Sequence, residues 1–390
     1  MSLAEKRFIA VLYGLVTLFL VQRSRADVFD VNTSVRAVGM GGAFVAVVDD
    51  SNSLFYNPAG LSRAGGVYWT IIDPAIGLSN VDALQTLSDL QSDSGFASAL
   101  SGIYGEPFWI GGGAKTAIVL PFFGVAYYDN LNLQLELTNP VYPNLHLVGY
   151  NDIGLALGFA FPIIPGFLYG GMNIRRVQRT GTDQNITGGV ISNLDPDLIT
   201  NDLENKALGY GMDIGMNFVI PTPFVHPIFS AVWKNVGGTS FVSDTGTNPP
   251  SDEGDMTLGA ALEVDLPIIS ITPALELRKL NQADEQLGKK IHLGLEIGLP
   301  LIDLRAGFYQ GYYTLGVGLG LGPLDINVAT YGVELGEYPG QLEDRRYVLQ
   351  IGIEIGLPTG GLSIFNDDSA GPGGRSPKSS ARYRKLKQRR

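Results

Sequence analysis

Apolar residues recur at every second position over long stretches of this chain. In 154–161, Leu155, Leu157, Phe159 and Phe161 alternate with Gly154, Ala156, Gly158 and Ala160. In 209–218, Tyr210, Met212, Ile214, Met216 and Phe218 alternate with Gly209, Gly211, Asp213, Gly215 and Asn217. Segments 292–299 and 347–357 repeat the pattern. A period of two places one set of side chains on each face of a β-strand, because successive Cβ atoms point to opposite sides. The spans that read this way are 65–77, 113–120, 122–139, 145–161, 166–180, 206–220, 226–240, 255–266, 269–280, 288–299, 301–310, 311–322, 324–335 and 344–357.

The links between these spans fall into two classes. Pro121, Pro162 to Pro165, Pro221 to Pro223, Pro267, Pro300 and Pro323 mark short links after the even spans. Proline suits a tight turn and cannot donate within a ladder. Links after the odd spans are mostly longer and more polar, as in 181–205, 241–254, 281–287 and 336–343; the division at 310–311 is the exception. Segment 80–104 departs from the strand pattern. Val81, Leu84, Leu87 and Leu90 are spaced for a short amphipathic helix, either capping the mouth of the assembly, folded inward, or facing solvent as a loop helix.

The second face of the strands decides what they build. It is mostly glycine with single polar or acidic residues. In a soluble sandwich such strands would be weak, since glycine loses backbone entropy and packs nothing. A transmembrane barrel turns its apolar face to lipid and its small or polar face to the lumen. The composition agrees: 51 glycines and only 17% charged residues in 390, where about a quarter is usual for soluble domains. The expectation is an all-β, antiparallel transmembrane barrel of about fourteen strands. An even strand number with short turns on one rim puts both termini in the periplasm.

The chain ends are different in kind. Lys6 and Arg7 precede an apolar run from Phe8 to Val21, followed by Ser24-Arg25-Ala26. This is the layout of a secretory signal, so 1–26 is expected to be removed. Net charge is −11, yet 27–365 holds 15 Lys/Arg against 35 Asp/Glu, while 366–390 holds eight Lys/Arg against two acids. An acidic body excludes nucleic acid as partner. The segment 358–390 reads as a flexible basic periplasmic tail. Arg382, Arg384, Lys385, Lys387, Arg389 and Arg390 are its candidates for docking to an acidic partner or anionic lipid. Cysteine is absent, which excludes disulfides, cysteine–zinc sites and thiol catalysis.

Residues 36–61 carry a glycine-rich motif. Gly39, Gly41 and Gly42 allow close backbone packing, Asp49 and Asp50 precede a turn or cap, and Asn57-Pro58-Ala59 leads to the first strand. No Gly-Lys-Ser/Thr follows, so it is not a phosphate loop. The segment resembles the N-terminal hatch of the FadL-like outer-membrane barrels, which include fatty-acid and aromatic-hydrocarbon channels. It is also similar to the PorV-type barrels associated with a protein secretion system. The matching positions are Gly39, Met40, Gly41, Gly42, Ala43, Asp49, Asp50, Asn57, Pro58 and Ala59. The resemblance implies a fourteen-stranded barrel (62–357) around a lumenal hatch (27–61), and it carries no ligand-contacting residue with it. Fourteen strands would enclose a lumen that something must fill. The column Gly316, Gly318, Gly320 and Gly322 offers a surface for that packing.

Gln350, Gly352, Ile355 and Leu357 resemble the barrel-assembly signal of a last strand, although Leu357 replaces the usual aromatic residue. His146, His226 and His292 lack metal-ligand spacing. Asp252, Glu253 and Asp255 form an acidic cluster without a calcium-loop pattern. Inward Asp213, Glu263, Glu296 and Glu354 are candidates for a network with Arg175, Arg278 and Arg305. No cofactor, metal site or catalytic group is expected. The anticipated partners are outer-membrane lipid and lipopolysaccharide, with a hydrophobic small molecule as ligand or, through the basic tail, a periplasmic or secretion partner. Two functions follow: passage of fatty acids or hydrocarbons, or docking within a secretion or envelope assembly.

Overall fold

The computed structural model describes residues 34–79, 107–139, 141–187, 206–243 and 249–358. The expected export segment, the 80–104 helix, much of the 181–205 link and the basic tail beyond Pro358 lie outside them.

Fourteen antiparallel strands close into one barrel. Strand β1 runs Gly66–Ile72 and resumes as Ala75–Leu78. It is followed by β2 Phe108–Leu120, β3 Phe123–Thr138, β4 Asn144–Ile164, β5 Leu168–Thr187, β6 Lys206–Val219 and β7 Val225–Lys234. The second half comprises β8 Asp255–Asp265, β9 Ser270–Leu277, β10 Ile291–Gly298, β11 Ile302–Tyr309, β12 Tyr312–Leu321, β13 Leu324–Glu334 and β14 Glu343–Pro358. A two-residue stub, Val242–Ser243, pairs with β6 inside a long link. Each strand pairs with its sequence neighbours, and β1 closes on β14 from Gly66↔Pro358 to Leu78↔Tyr347. Closure leaves no unpaired edge, which lipid would not tolerate.

The two faces sort as the alternation requires. On β6, Tyr210, Ile214, Met216 and Phe218 point out, while Gly211, Asp213, Gly215 and Asn217 are buried within. The outward belt continues around the wall through Trp69, Tyr127, Leu155, Phe229, Trp233, Leu304, Tyr313, Tyr347 and Ile353. Tyr210 and Phe218 lie eight positions apart on β6, as Tyr347 and Ile355 do on β14. That interval is about 27 Å along a strand and ~20 Å along the membrane normal at the usual tilt, close to the height of an apolar band. Water would make such a surface unfavourable; hydrocarbon makes it the stable face.

Links after even strands are short, and 310–311 is a two-residue turn on the opposite rim. Gln310 (φ 50°) and Gly311 (φ 93°) both have positive φ, the geometry that follows strand twist in a tight hairpin. Strand ends move where turns intervene. β7 stops at Lys234 instead of 240, because Asn235, Gly237 and Gly238 take positive φ. β2 begins at Phe108 instead of 113, because its glycines 111–113 are paired on both sides despite weak propensity. β5 runs to Thr187, as its pairing with β4 continues past Gly181.

Among the described residues the wall is irregular near the β4–β5 turn, where the register shifts between Pro162 and Ile164, and again in β1. Between Thr70 and Ala75, β1 has four residues opposite three on β2, and the register to β14 shifts by one between Thr70 and Ile72. This is a β-bulge, followed by Pro74, which has no N–H to give.

Candidate functional site

The lumen is occupied by residues 34–64. The segment is buried almost throughout: helix α1 (Val35–Gly39), helix α2 (Ser53–Tyr56) and a 3₁₀ turn (Pro58–Arg63) joined by turns. Each piece is too short to be stable alone, so its conformation is held by the wall. Met40, Phe44, Val47, Leu54, Phe55 and Tyr56 pack with wall residues Tyr128, Tyr169, Ile228 and Phe241. Val35 and Val38 join a second cluster with Trp109, Tyr331 and Val348. An apolar seam therefore runs between segment and wall.

Glycines on the inner face set how close the segment comes. A Cβ on Gly215 would lie 2.1 Å from the Asn57 Oδ1, and one on Gly294 would lie 2.4 Å from the Met40 carbonyl. Gly41 has φ 63°, and a Cβ there would stand 2.2 Å from the Leu293 carbonyl oxygen. Of the column singled out on β12, Gly316 meets the segment, with its built Cβ 2.9 Å from the Gly39 Cα. Gly318 faces the Arg305 guanidinium instead, and Gly322 sits in the β12–β13 turn with φ 70° and open space around it. The strand ends at Leu321, so the last glycine serves the turn rather than the packing face.

Polar groups fasten the segment at several heights. Asn57 caps the 3₁₀ turn by accepting from the Ala59 N–H (3.0 Å), and its Nδ2 donates to the Val45 carbonyl (2.9 Å) and Asn217 Oδ1 (2.7 Å). Glu276 of β9 accepts from the Phe44 and Val45 N–H groups at 2.7 and 2.9 Å. Arg278 donates to the Gly42 carbonyl (2.6 Å), Thr314 to the Gly39 carbonyl (3.0 Å), and His292 Nδ1 meets the Gly41 carbonyl at 2.9 Å. Met40 to Ala43 thus sit toward the long-loop rim, and Asn57 to Ala59 toward the short-turn rim.

Ionic groups form one cluster around Glu296 and several separate pairs, rather than a single acid network. Arg36 grips Glu296 through two bonds (2.9 and 3.0 Å) and reaches Asp49 at 3.1 Å and Asp50 at 3.6 Å. Arg305 shares Glu296 at 2.8 Å. Arg175 does pair with Asp213 (3.1 Å), but Glu263 takes Arg63 (2.5 Å) and Arg278 takes Glu276 (2.6 Å). Glu354 accepts from Thr70 (3.0 Å). Breaking a pair this deeply buried costs about 3–5 kcal/mol, because the orphaned charge cannot reach water.

The remaining candidates are dispersed. Gln350 points inward, donates to Asp73 (2.8 Å) and accepts from the Val35 N–H (3.3 Å). Gly352 lies beside Asp73 and Ile355 faces out; Leu357 pairs with Val67 through its backbone. His146 meets Asp183 at 3.1 Å. Asp252 is tied to Arg179 (2.8 Å), and Asp255 accepts from Thr257 and the Lys279 N–H, so the acidic cluster is dispersed into pairings. Among the described residues no group of three or more His, Cys, Asp or Glu is placed to hold a metal. Sequence reading missed Glu276, Arg63, Arg36 and Asn217. For Glu276 and Asn217 the signal was a lone polar residue on the inner face of a strand; for Arg36 and Arg63 it was a single base in a segment of small and apolar residues.

A cavity of about 120 Å³ remains between the segment and the wall behind the β1 bulge. Arg36, Asp49, Asp50, Tyr68, Asp73 and Glu354 line it, and its lining reaches Gly322 on the short-turn rim.

These features define an antiparallel β-barrel with an outward apolar belt suited to a bilayer, its lumen filled by its own N-terminal segment. No protein family and no curated protein matches the chain in sequence. Solved structures are similar in fold. The toluene transporter TbuX of Ralstonia pickettii is 10% identical, with TM-score 0.48 over 85% of this chain and 100% of that one. The monoaromatic hydrocarbon channel CymD is 10% identical, with TM-score 0.46 over 85% and 99%. The P. putida toluene transporter TodX is 12% identical, with TM-score 0.40 over 82% and 96%.

Proposed function

We propose that this barrel lets small hydrophobic molecules, fatty acids or hydrocarbons, cross the outer membrane, with both chain ends in the periplasm. One observation carries the reading. The lumen is closed along its axis by residues 34–64, while the wall's ladder is interrupted at the β1 bulge between Thr70 and Ala75. A closed axis keeps out water and ions. The seam of Met40, Phe44, Phe55 and Tyr56 gives an apolar solute a path that a polar one would not take. The bulge supplies a lateral way out of the lumen. The test is uptake of labelled toluene and hexadecanoate by liposomes holding the purified chain. Uptake should exceed that of empty liposomes, and deleting Ile71, the extra residue of the bulge, should lower it several-fold. Equal uptake with and without the protein would overturn the reading.

A docking role in a secretion or envelope assembly is the second reading. The polar, acidic cavity favours it, because an apolar solute gains nothing there. A partner that co-purifies with the native chain and is lost on removing the charges of 382–390 would support it.

A further inference from the structure

The cavity behind the β1 bulge has a charge imbalance that the transport reading does not use. Five carboxylates line it: Asp49, Asp50, Asp73, Asp325 and Glu354. Two guanidiniums, Arg36 and Arg305, also line it, and both are engaged with Glu296. Lys115 adds one cation through Asp73 (3.1 Å), and Asp303 adds one acid through Arg305 (3.3 Å). Seven acids therefore face three bases. Crowding a net negative charge away from bulk water is unfavourable, because the carboxylates repel one another through a poorly screening medium.

A second observation is independent of the charge. Tyr68 points inward from β1 and lines the same cavity; it is 4% exposed. Its hydroxyl is buried with no hydrogen-bond partner among the described residues. A buried hydroxyl without a partner is unfavourable, because its lost hydration goes uncompensated. Its oxygen has two acceptor lone pairs. The donors nearby are already committed: Gln350 Nε2 to Asp73, and Arg305 to Glu296 and Asn327. What the described residues do not supply is a further positively charged group, beyond Arg36, Arg305 and Lys115, to meet this hydroxyl and the remaining carboxylates.

We propose that this cavity binds a cationic head group, a guanidinium or an alkylammonium, held by Asp50, Asp73 and Glu354 and by the Tyr68 hydroxyl. Asp50, with 31% of its side chain exposed, is the entry side. The volume suits one such head group rather than a bulky ligand. Two sources carry this chemistry. One is this chain's own basic residues. Glu354 lies four positions before Pro358, the last described residue, and six of the last nine residues of the sequence are Lys or Arg. The other is a cation from outside, such as a polyamine or a basic peptide. The proposal does not depend on the transport reading.

The test is calorimetric titration of the detergent-solubilised full chain with the acetylated peptide Arg-Tyr-Arg-Lys-Leu-Lys-Gln-Arg-Arg, the sequence of 382–390. A full-length variant with Arg382, Arg384, Lys385, Lys387, Arg389 and Arg390 all changed to Gln serves as the receiver. The peptide should bind this variant at low salt, and binding should weaken at high salt as the charges are screened. Tyr68→Phe in the same background should lower affinity about tenfold, the usual size for a hydrogen bond to a charged group. Asp50→Asn, at a part-exposed position that disturbs folding least, should lower it several-fold. If the native chain binds the peptide at least tenfold more weakly than the neutral-tail variant, its own tail is the occupant. Equal binding to both assigns the site to an outside cation. No binding to the neutral-tail variant, or binding untouched by both Tyr68→Phe and Asp50→Asn, would overturn the proposal.

Discussion

Asn57 is the most economical place to test whether residues 34–64 are a held element. Its side chain makes three bonds: one capping the Ala59 N–H, one to the Val45 carbonyl and one to Asn217. Asn217 retains Ser230 as a donor at 2.6 Å, so Asn57→Ala does not orphan it. The Val45 carbonyl and Ala59 N–H lose these bonds. At about 1 kcal/mol for each net bond, the change weakens the segment by about 3 kcal/mol. Since 1.4 kcal/mol is tenfold, the open population rises on the order of 100-fold. Hydrogen exchange measures it directly. Amides of 43–60 should lose about 100-fold protection while β5 and β6 keep theirs, because the opening is local. Single-channel recording in planar bilayers should show new ion conductance. Asn57→Asp should do at least as much harm, since it sets a carboxylate against two acceptors. If protection of 43–60 shifts less than about fivefold, or falls equally in the strands, the segment is not an independently held plug.

Gly41→Ala and Gly322→Ala form a matched pair. Both have positive φ, but a Cβ at Gly41 meets the Leu293 carbonyl whereas one at Gly322 meets nothing. The first should open the lumen to ions; the second should show only the ~1–2 kcal/mol of left-handed strain and no leak. Glu296→Gln weakens the grip on Arg36 and Arg305, so bilayer conductance should rise and thermal stability in detergent should fall by several degrees. Unchanged melting would contradict the burial argument. Ile214→Lys, in the middle of the outward belt, should destabilise the barrel by about 2–4 kcal/mol in urea titrations in lipid, while Tyr210→Lys nearer the rim should cost about 0–1. Equal costs would mean the apolar band is misplaced.

How far the sequence alone reaches can be seen on single residues. The two-residue alternation in 209–218 dictates that Tyr210 and Phe218 share a face, and no fold of a strand can change that. Glycine and asparagine opposite them exclude a soluble core. Prolines at 121, 267 and 323 favour turns, because proline cannot donate to a ladder, although Pro162, Pro227 and Pro273 are carried inside β4, β7 and β9. Strand number and the inside–outside sorting are therefore local properties, legible without coordinates. The β1 bulge is not local in this sense: Asp73-Pro74 permits a kink, but the extra residue opposite β2 and β14 is a matter of register among three strands. Nor is the pairing of charges. Arg36 and Glu296 are 260 positions apart, and Arg63 and Glu263 are 200 apart. Several acids and several bases on inward faces allow many pairings, and only closure of the barrel around residues 34–64 selects one. The same closure turns Gly316 toward Gly39 and leaves Gly322 in a turn, and it places Tyr68 at a cavity of carboxylates with no hydrogen-bond partner for its hydroxyl among the described residues.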